Sequence, residues 1–151
     1  MPTATAHRIT ASADLDAAFA IRHEVFVQGQ GVPPEKEHDQ HDQTDARHYL
    51  ARTAAGLPCG AARWRVTENG VKLERFAVLE SYRNQQVGAA LLTAVLRDVA
   101  AAHPAAEVYL HAQLAAVRFY LRHGFETVGE KFTEAGIEHY KMRWQRPAAQ
   151  D

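Results

Sequence analysis

The sequence contains a single cysteine, Cys59, so no internal disulfide can form and no cysteine-based zinc cluster can be built. A stapled secreted scaffold and a zinc finger are thereby excluded. No apolar run approaches the roughly 20 residues that a membrane helix requires, and the opening MPTATAHRITASAD lacks the basic-then-apolar order of a secretory signal. The expectation is a cytoplasmic protein with no membrane partner. A surplus of charge of one sign is also missing. Lysine and arginine number 17 against 18 aspartates and glutamates, a formal net charge of -1, so no global basic field exists to hold a nucleic acid. Repeats and low-complexity linkers are absent as well. Residues 1–146 therefore read as one domain, with a frayed tail expected over 147–151.

What is present is an ordinary globular composition: 151 residues, 46% hydrophobic and 23% charged, enough for one sizeable core. A short strand is expected at His7–Thr10. Ser12 is a candidate N-cap, and Leu15, Ala18, Phe19, Arg22, Val25 and Phe26 recur at helical spacing. Gly29, Gly31, Pro33 and Pro34 break that pattern, and Glu35–Asp45 reads as a loop or short helix across the surface. Strands at His48–Thr53, Ala61–Thr67 and Val71–Leu79, separated by Gly- and Pro-bearing turns, predict an antiparallel meander. Val87, Leu91, Leu92, Val95, Leu96 and Val99 mark a helix over Val87–Ala102, stopped by His103-Pro104. A strand at Val108–His111, a helix at Leu114–His123 closed by Gly124, and strands at Phe125–Val128 and Ile137–Trp144 complete the set.

This order predicts an α/β fold with a mixed, mostly antiparallel central sheet flanked by helices. The connection from Leu79 through the long helix is sufficient for a right-handed crossover, which would set the strands near 71–79 and 106–111 side by side and parallel. A ligand is expected at their carboxyl ends.

The segment Tyr82-Arg83-Asn84-Gln85-Gln86-Val87-Gly88-Ala89-Ala90 joins the first of those strands to the long helix. Unpaired amides at a helix N-terminus can hold an anion, Arg83 adds charge, and the small residues allow a diphosphate to approach the main chain. A plain strand-to-helix turn, its small residues packing the helix on the sheet, explains the composition equally well. Neither GxGxxG nor GxxxxGK(S/T) occurs, so dinucleotide and Walker-type sites lack support.

KLERFAVLESYRNQQVGAALL, Lys72–Leu92, resembles the acetyl-coenzyme A motif of the GNAT superfamily of N-acetyltransferases, in which a strand ends in an Arg/Gln-x-x-Gly-x-Gly/Ala loop. Arg83 and Gly88 match the outer positions; Gln86 replaces the first glycine and Asn84 another glycine common in relatives. IRHEVFVQGQGVPPEKEHDQHD (Ile21–Asp42) and LHAQLAAVRFYLRHGFETVGEKFTEAGIEHYKM (Leu110–Met142) resemble the flanking blocks of the ElaA-like branch. Gly29 stands where relatives commonly carry a glutamate.

The resemblance implies an acyltransferase that moves an acetyl group from acetyl-coenzyme A to a primary amine of a small molecule or peptide, by direct attack in a ternary complex. It implies a GNAT fold, acetyl-coenzyme A as co-substrate with no metal, and a homodimer as in many relatives. Pantetheine would pair with main chain near Phe76, Ala77 and Val78. Arg83, Asn84, Gln85, Gln86, Val87, Gly88 and Ala89 would hold the diphosphate, with Phe119 beside the coenzyme. Tyr120 would be the general acid to the leaving thiolate. From spacing alone it is an aromatic packed on the sheet.

Such chemistry also needs a base that leaves the amine neutral. Glu74 and His111 are polar residues on otherwise apolar strands. Histidine titrates near neutrality unaided, and a bound water could relay the proton for glutamate. The alternatives are a structural histidine and, for Glu74, an ion pair with Arg63 or Arg65. Glu35, Glu37, Asp39, Asp42 and Asp45 face Lys36 alone, which reads as a solvated acidic loop able to attract a cationic amine. With His38, His41 and His48 the same stretch offers metal-ligand types, so a divalent-metal module is one competing reading. A non-catalytic coenzyme A or acyl-coenzyme A binding protein is another. Cys59 has no adjacent base to activate it, and Trp64, Phe132 and Trp144 read as sheet and core aromatics.

Overall fold

The computed structural model describes residues 4–147; the expected tail lies, from residue 148, outside the described residues. The chain runs β1 (Thr5–Arg8), α1 (Ser12–Arg22), a π-helical turn (His23–Gln28), α2 (Pro34–Glu37), a 3-10 turn (Gln40–Asp42), then β2 (Arg47–Arg52), β3 (Pro58–Thr67) and β4 (Gly70–Val78). A 3-10 turn at Glu80–Tyr82 leads to α3 (Val87–Ala102) and β5 (Val108–Gln113). A second at Leu114–Ala116 leads to α4 (Val117–Arg122), β6 (Phe125–Glu134) and β7 (Ile137–Trp144). The strands make one seven-stranded sheet in the order β1-β2-β3-β4-β5-β7-β6. Only β4 and β5 pair in parallel; all other neighbours are antiparallel.

The meander, the crossover and the long helix are as the sequence pattern predicts. Three details differ. Ser12 is the first helical residue rather than the cap, and Ala11 in the cap position makes no side-chain bond. The first helix widens into a π-turn whose end requires Gly29, because a Cβ there would lie 2.5 Å from the Val25 carbonyl oxygen. β6 extends to Glu134, past Gly129 at φ 77, where an irregular register between Val128 and Phe132 carries the strand through the glycine.

One sheet face carries the main core. Leu91, Val95 and Val99 of α3 pack there on Tyr49, Trp64, Val71, Leu73 and Leu110. Gly60 lets the helix come close, since a Cβ would meet Val87 Cγ1 at 2.8 Å. The second face is covered over β2, β3 and β4 by α1, where Ala18, Ile21 and Val25 meet Leu50, Ala61 and Ala77. Side-chain alternation puts Lys72 and Glu74, and their β5 neighbours Tyr109 and His111, on this second face.

A bulge in β4 shapes everything that follows. Arg63 pairs with Glu74 and Ala61 with Ala77, so β4 has one residue more than β3 in that interval, and Arg75 takes a left-handed φ of 57. β4 and β5 pair only from Val71↔Val108 to Leu73↔Leu110. Beyond Leu73 the strands part.

Candidate active site

The gap between the parted strands opens into a cleft of about 1080 Å³. Its walls bring together Phe76, Ala77 and Val78 of β4, the residues heading α3, Phe119 and Tyr120 of α4, and His111 of β5. Fourteen positions were expected to form the site. All but Gln85 line this cleft, and Gln85 turns its carboxamide back onto the Ser81 carbonyl at 3.2 Å.

The rim at the head of α3 is built from main chain. Asn84 and Gln86 adopt φ values of 64 and 66, the left-handed region natural to glycine. The loop thus takes the conformation associated with glycine at both positions, and the side chains there cost the fold about 1–2 kcal/mol each. Gln86 caps α3 without a side-chain bond, and the Ala90 amide is the first to bond back to the Gln86 carbonyl. The amides of Val87, Gly88 and Ala89 precede the helical ladder and are free for an anion. Gly88 sits against Phe119, whose Cζ would be 3.3 Å from an added Cβ. Arg83 anchors its Nε on the Val78 carbonyl at 3.2 Å, which sets the guanidinium over the end of β4.

Tyr120 is 6% exposed and stands edge-on to Phe76, Phe119 and Phe125. Burial pushes its phenol well above the ordinary tyrosine value, so it carries its proton throughout the neutral range.

The opposite wall is a buried ionic cluster that inverts one expectation. Three acids of the stretch are not solvated but turned inward. Asp42, its side chain fully enclosed, accepts two bonds from Arg22 at 2.7 and 2.9 Å and one from Arg63 at 2.7 Å. Glu37 accepts from Arg22 Nε at 2.8 Å, and Asp39 is chelated by both terminal nitrogens of Arg63 at 2.8 Å. Burial alone would raise the Asp39 and Asp42 carboxyls, but the hydrogen bonds and charge of the arginines outweigh it. Asp39 falls to about 2 and Asp42 well below the carboxylate range. Sequence position gives no hint of this, because Arg22 and Arg63 reach partners 11 to 24 residues away. Of the five acids only Glu35 and Asp45 stay exposed, so little of the charge expected to attract a cationic amine is left free.

Glu74 belongs to the same cluster. Arg63 donates to its Oε2 at 2.8 Å, and Arg65 Nε and Lys72 Nζ approach its Oε1 at 3.0 and 3.3 Å. Burial opposes ionisation, yet the Arg63 and Lys72 charges hold the carboxyl below its ordinary value. A carboxylate held by three cations is a poor proton acceptor. The geometry favours the ion-pair alternative and corrects the expectation of Glu74 as a base.

His111 has different company. Its Nδ1 lies 3.1 Å from Glu134 Oε1, and that hydrogen bond is the first cause that brings Glu134 down to about 2. His139 stands 3.8 Å from the other Glu134 oxygen. Glu134 is missed because the sequence pattern ends β6 at Val128; His139 lies on the expected last strand, but nothing in the pattern pairs it with Glu134. A second missed pair is Gln30 and Gln113, whose carboxamides exchange bonds of 3.1 and 2.9 Å and tie the loop after the π-turn to the end of β5.

Of the histidines of the acidic stretch, His38 and His48 approach the Asp42 carboxylate, at 3.3 and 3.9 Å, while His41 does not. His38 and His48 set their rings edge-on to Phe19, and His41 Nδ1 meets Asp45 at 2.8 Å. Among the described residues no group of three or more His, Cys, Asp or Glu side chains is placed to hold a metal ion. Cys59 is buried, and burial pushes its thiol up, away from reactivity. No helix among the described residues is long and apolar enough to cross a membrane.

Comparison with known proteins agrees with this geometry. The family described as an acetyltransferase (GNAT) domain matches residues 12–146. A Bacillus subtilis protein named uncharacterized N-acetyltransferase YjcF is 41% identical over 129 residues, covering 85% of this chain and 90% of its own. Among solved structures, Escherichia coli ElaA superposes with a TM-score of 0.81 at 28% identity, over 96% of this chain and 100% of its own. An acyl-CoA N-acyltransferase from Pseudomonas aeruginosa superposes with a TM-score of 0.80, also at 28% identity and over the same shares. With a splayed β4–β5 pair, an amide-rich α3 head and these relatives, the chain belongs to the GNAT acetyltransferase family.

Proposed function

We propose that the protein transfers an acetyl group from acetyl-coenzyme A to a primary amine, by direct attack while both are bound. The observation that carries this reading is the parting of β4 and β5 after Leu73, into a cleft shared by the α3 head and Tyr120. The residues present fit the coenzyme. Left-handed Asn84 and Gln86 turn the chain so that the amides of Val87, Gly88 and Ala89 can meet a diphosphate, and Arg83 adds a positive charge. Phe76, Ala77 and Val78 offer β4 main chain on the side where β5 has departed. Acetyl-coenzyme A would supply the activated acyl group as a thioester.

The chain's own groups supply the proton transfers. Tyr120, protonated at neutral pH, is the general acid for the thiolate side. His111, oriented through Nδ1 by Glu134, is the base for the ammonium, directly or through water. No covalent intermediate is required, and Cys59 is too enclosed to form one. A coenzyme-binding protein without turnover remains the second reading, motivated by the side chains at positions 84 and 86. Because the loop already holds the required conformation, their cost falls on folding more than on binding.

A screen of amines with acetyl-coenzyme A, monitored by release of free thiol, tests this function. Release that depends on an added amine is expected. Saturable coenzyme binding with no release for any amine class would replace the transferase by the binding protein.

A further inference from the structure

The wall opposite α4 has more positive groups than its carboxylates can satisfy. Arg63 and Arg22 are enclosed, at 1% exposure each, and fully engaged with Glu37, Asp39, Asp42 and Glu74. Arg75 bonds to the Glu37 and Lys36 carbonyls and reaches the same acids. Arg65 and Lys72 are left to share Glu74 Oε1, whose partner oxygen is already held by Arg63. Among the described residues that oxygen is the one acceptor Arg65 has, and it uses Nε alone, so the terminal guanidinium nitrogens of this cleft-lining residue have no acceptor.

Their position is specific. Arg65 and Lys72 are cross-strand partners on β3 and β4, and Lys72 is also level with Tyr109 on β5, one side-chain place before His111 on the same face. Both are partly buried at the floor of the cleft, with 20% and 17% of their side chains exposed, where a charge-assisted hydrogen bond is stronger than at an open surface. Next to them stand His111 and Glu134, the proton-accepting pair of the function proposed above, on which this step rests.

We propose that the acceptor is a small amine that also carries a carboxylate, an amino acid in the broad sense. Arg65 and Lys72 bind its carboxylate, and its amino group is delivered to His111 and Glu134. A guanidinium with two free terminal nitrogens matches a planar carboxylate in two-point contact, and a lysine ammonium beside it adds a second charge. A dicationic amine would instead meet Arg65 and Lys72 as like charges. This reverses the selectivity that the acidic stretch suggests when read as an open loop.

The test uses the whole protein with coenzyme A at saturation. α- and ω-amino acids are titrated beside their carboxamides, binding is read by ligand-detected NMR, and thiol release from acetyl-coenzyme A is measured in parallel. Carboxylate forms are expected to bind roughly 10- to 100-fold more tightly than carboxamides. In Arg65→Met and in Lys72→Met that preference should fall by about tenfold, with acetyl-coenzyme A affinity unchanged. Lys72→Met keeps the test open if Arg65→Met fails to fold. Equal or tighter binding of carboxamides, no binding of either form, or a preference surviving in both variants would overturn the proposal. Carboxylate-selective binding without thiol release would sink the transferase function and leave this site standing. Release that ignores the carboxylate would do the reverse.

Discussion

Two walls of the cleft are made by opposite means. The α3 head is a main-chain device: left-handed Asn84 and Gln86, free amides at Val87 to Ala89, and Gly88 against Phe119. The wall beside α1 and α2 is a side-chain device, in which Arg22 and Arg63 bind acids brought from distant segments. The first can recur in any chain that keeps the turn. The second needs particular charged side chains from several distant segments. On the function proposed above, the backbone rim would hold the coenzyme and the ionic wall would choose the acceptor.

The largest effect is expected where the ionic wall is broken. Asp42→Ala leaves two enclosed arginines short of a carboxylate and should cost about 3–5 kcal/mol, measured by denaturant unfolding. Acid should attack the same wall. Asp39 has a folded value near 2 against an ordinary 3.8, so its stabilisation is complete above about pH 4 and is lost as pH falls towards 2. Burial lowers His48, so its unfavourable charging begins earlier, as pH falls below the ordinary histidine value near 6.5. Unfolding monitored from pH 7 to pH 2 should show a shallow decline followed by a steep one.

Tyr120→Phe probes the chemistry between the two walls. It should lower kcat by roughly 100-fold while acetyl-coenzyme A affinity stays near wild type, since the ring packing on Phe76 and Phe125 is kept. Loss of rate and affinity together would assign the tyrosine to packing. The smallest effect belongs to the rim. Gln86→Gly removes the strain of a left-handed side chain but adds unfolded-state freedom, so stability should rise by no more than about 1 kcal/mol. A fall in melting temperature would show that the Gln86 side chain holds the turn.

The same contrast explains how far the sequence could be read. α3 spans Val87–Ala102, as its apolar stripe and the following His-Pro predict, and the β4–β5 crossover follows from its length. Tyr120 and the loop were legible through a local motif. The ionic wall was not, because periodicity records which face a residue takes and not its partner. Arg22 reads as one member of a helical stripe, and nothing local shows that three of the five acids, Glu37, Asp39 and Asp42, are held by Arg22, Arg63 and Arg75. Glu134 was hidden by Gly129, a residue that usually ends a strand but here carries a bulge through it.

The most direct test of the shared cleft is a calorimetric titration of acetyl-coenzyme A into the wild-type protein and into Gly88→Val, which crowds Phe119 at the α3 head. One saturable site per chain is predicted for the wild type, with affinity at least about tenfold weaker in the variant. No binding to the wild type, or equal affinity in both, would contradict the account.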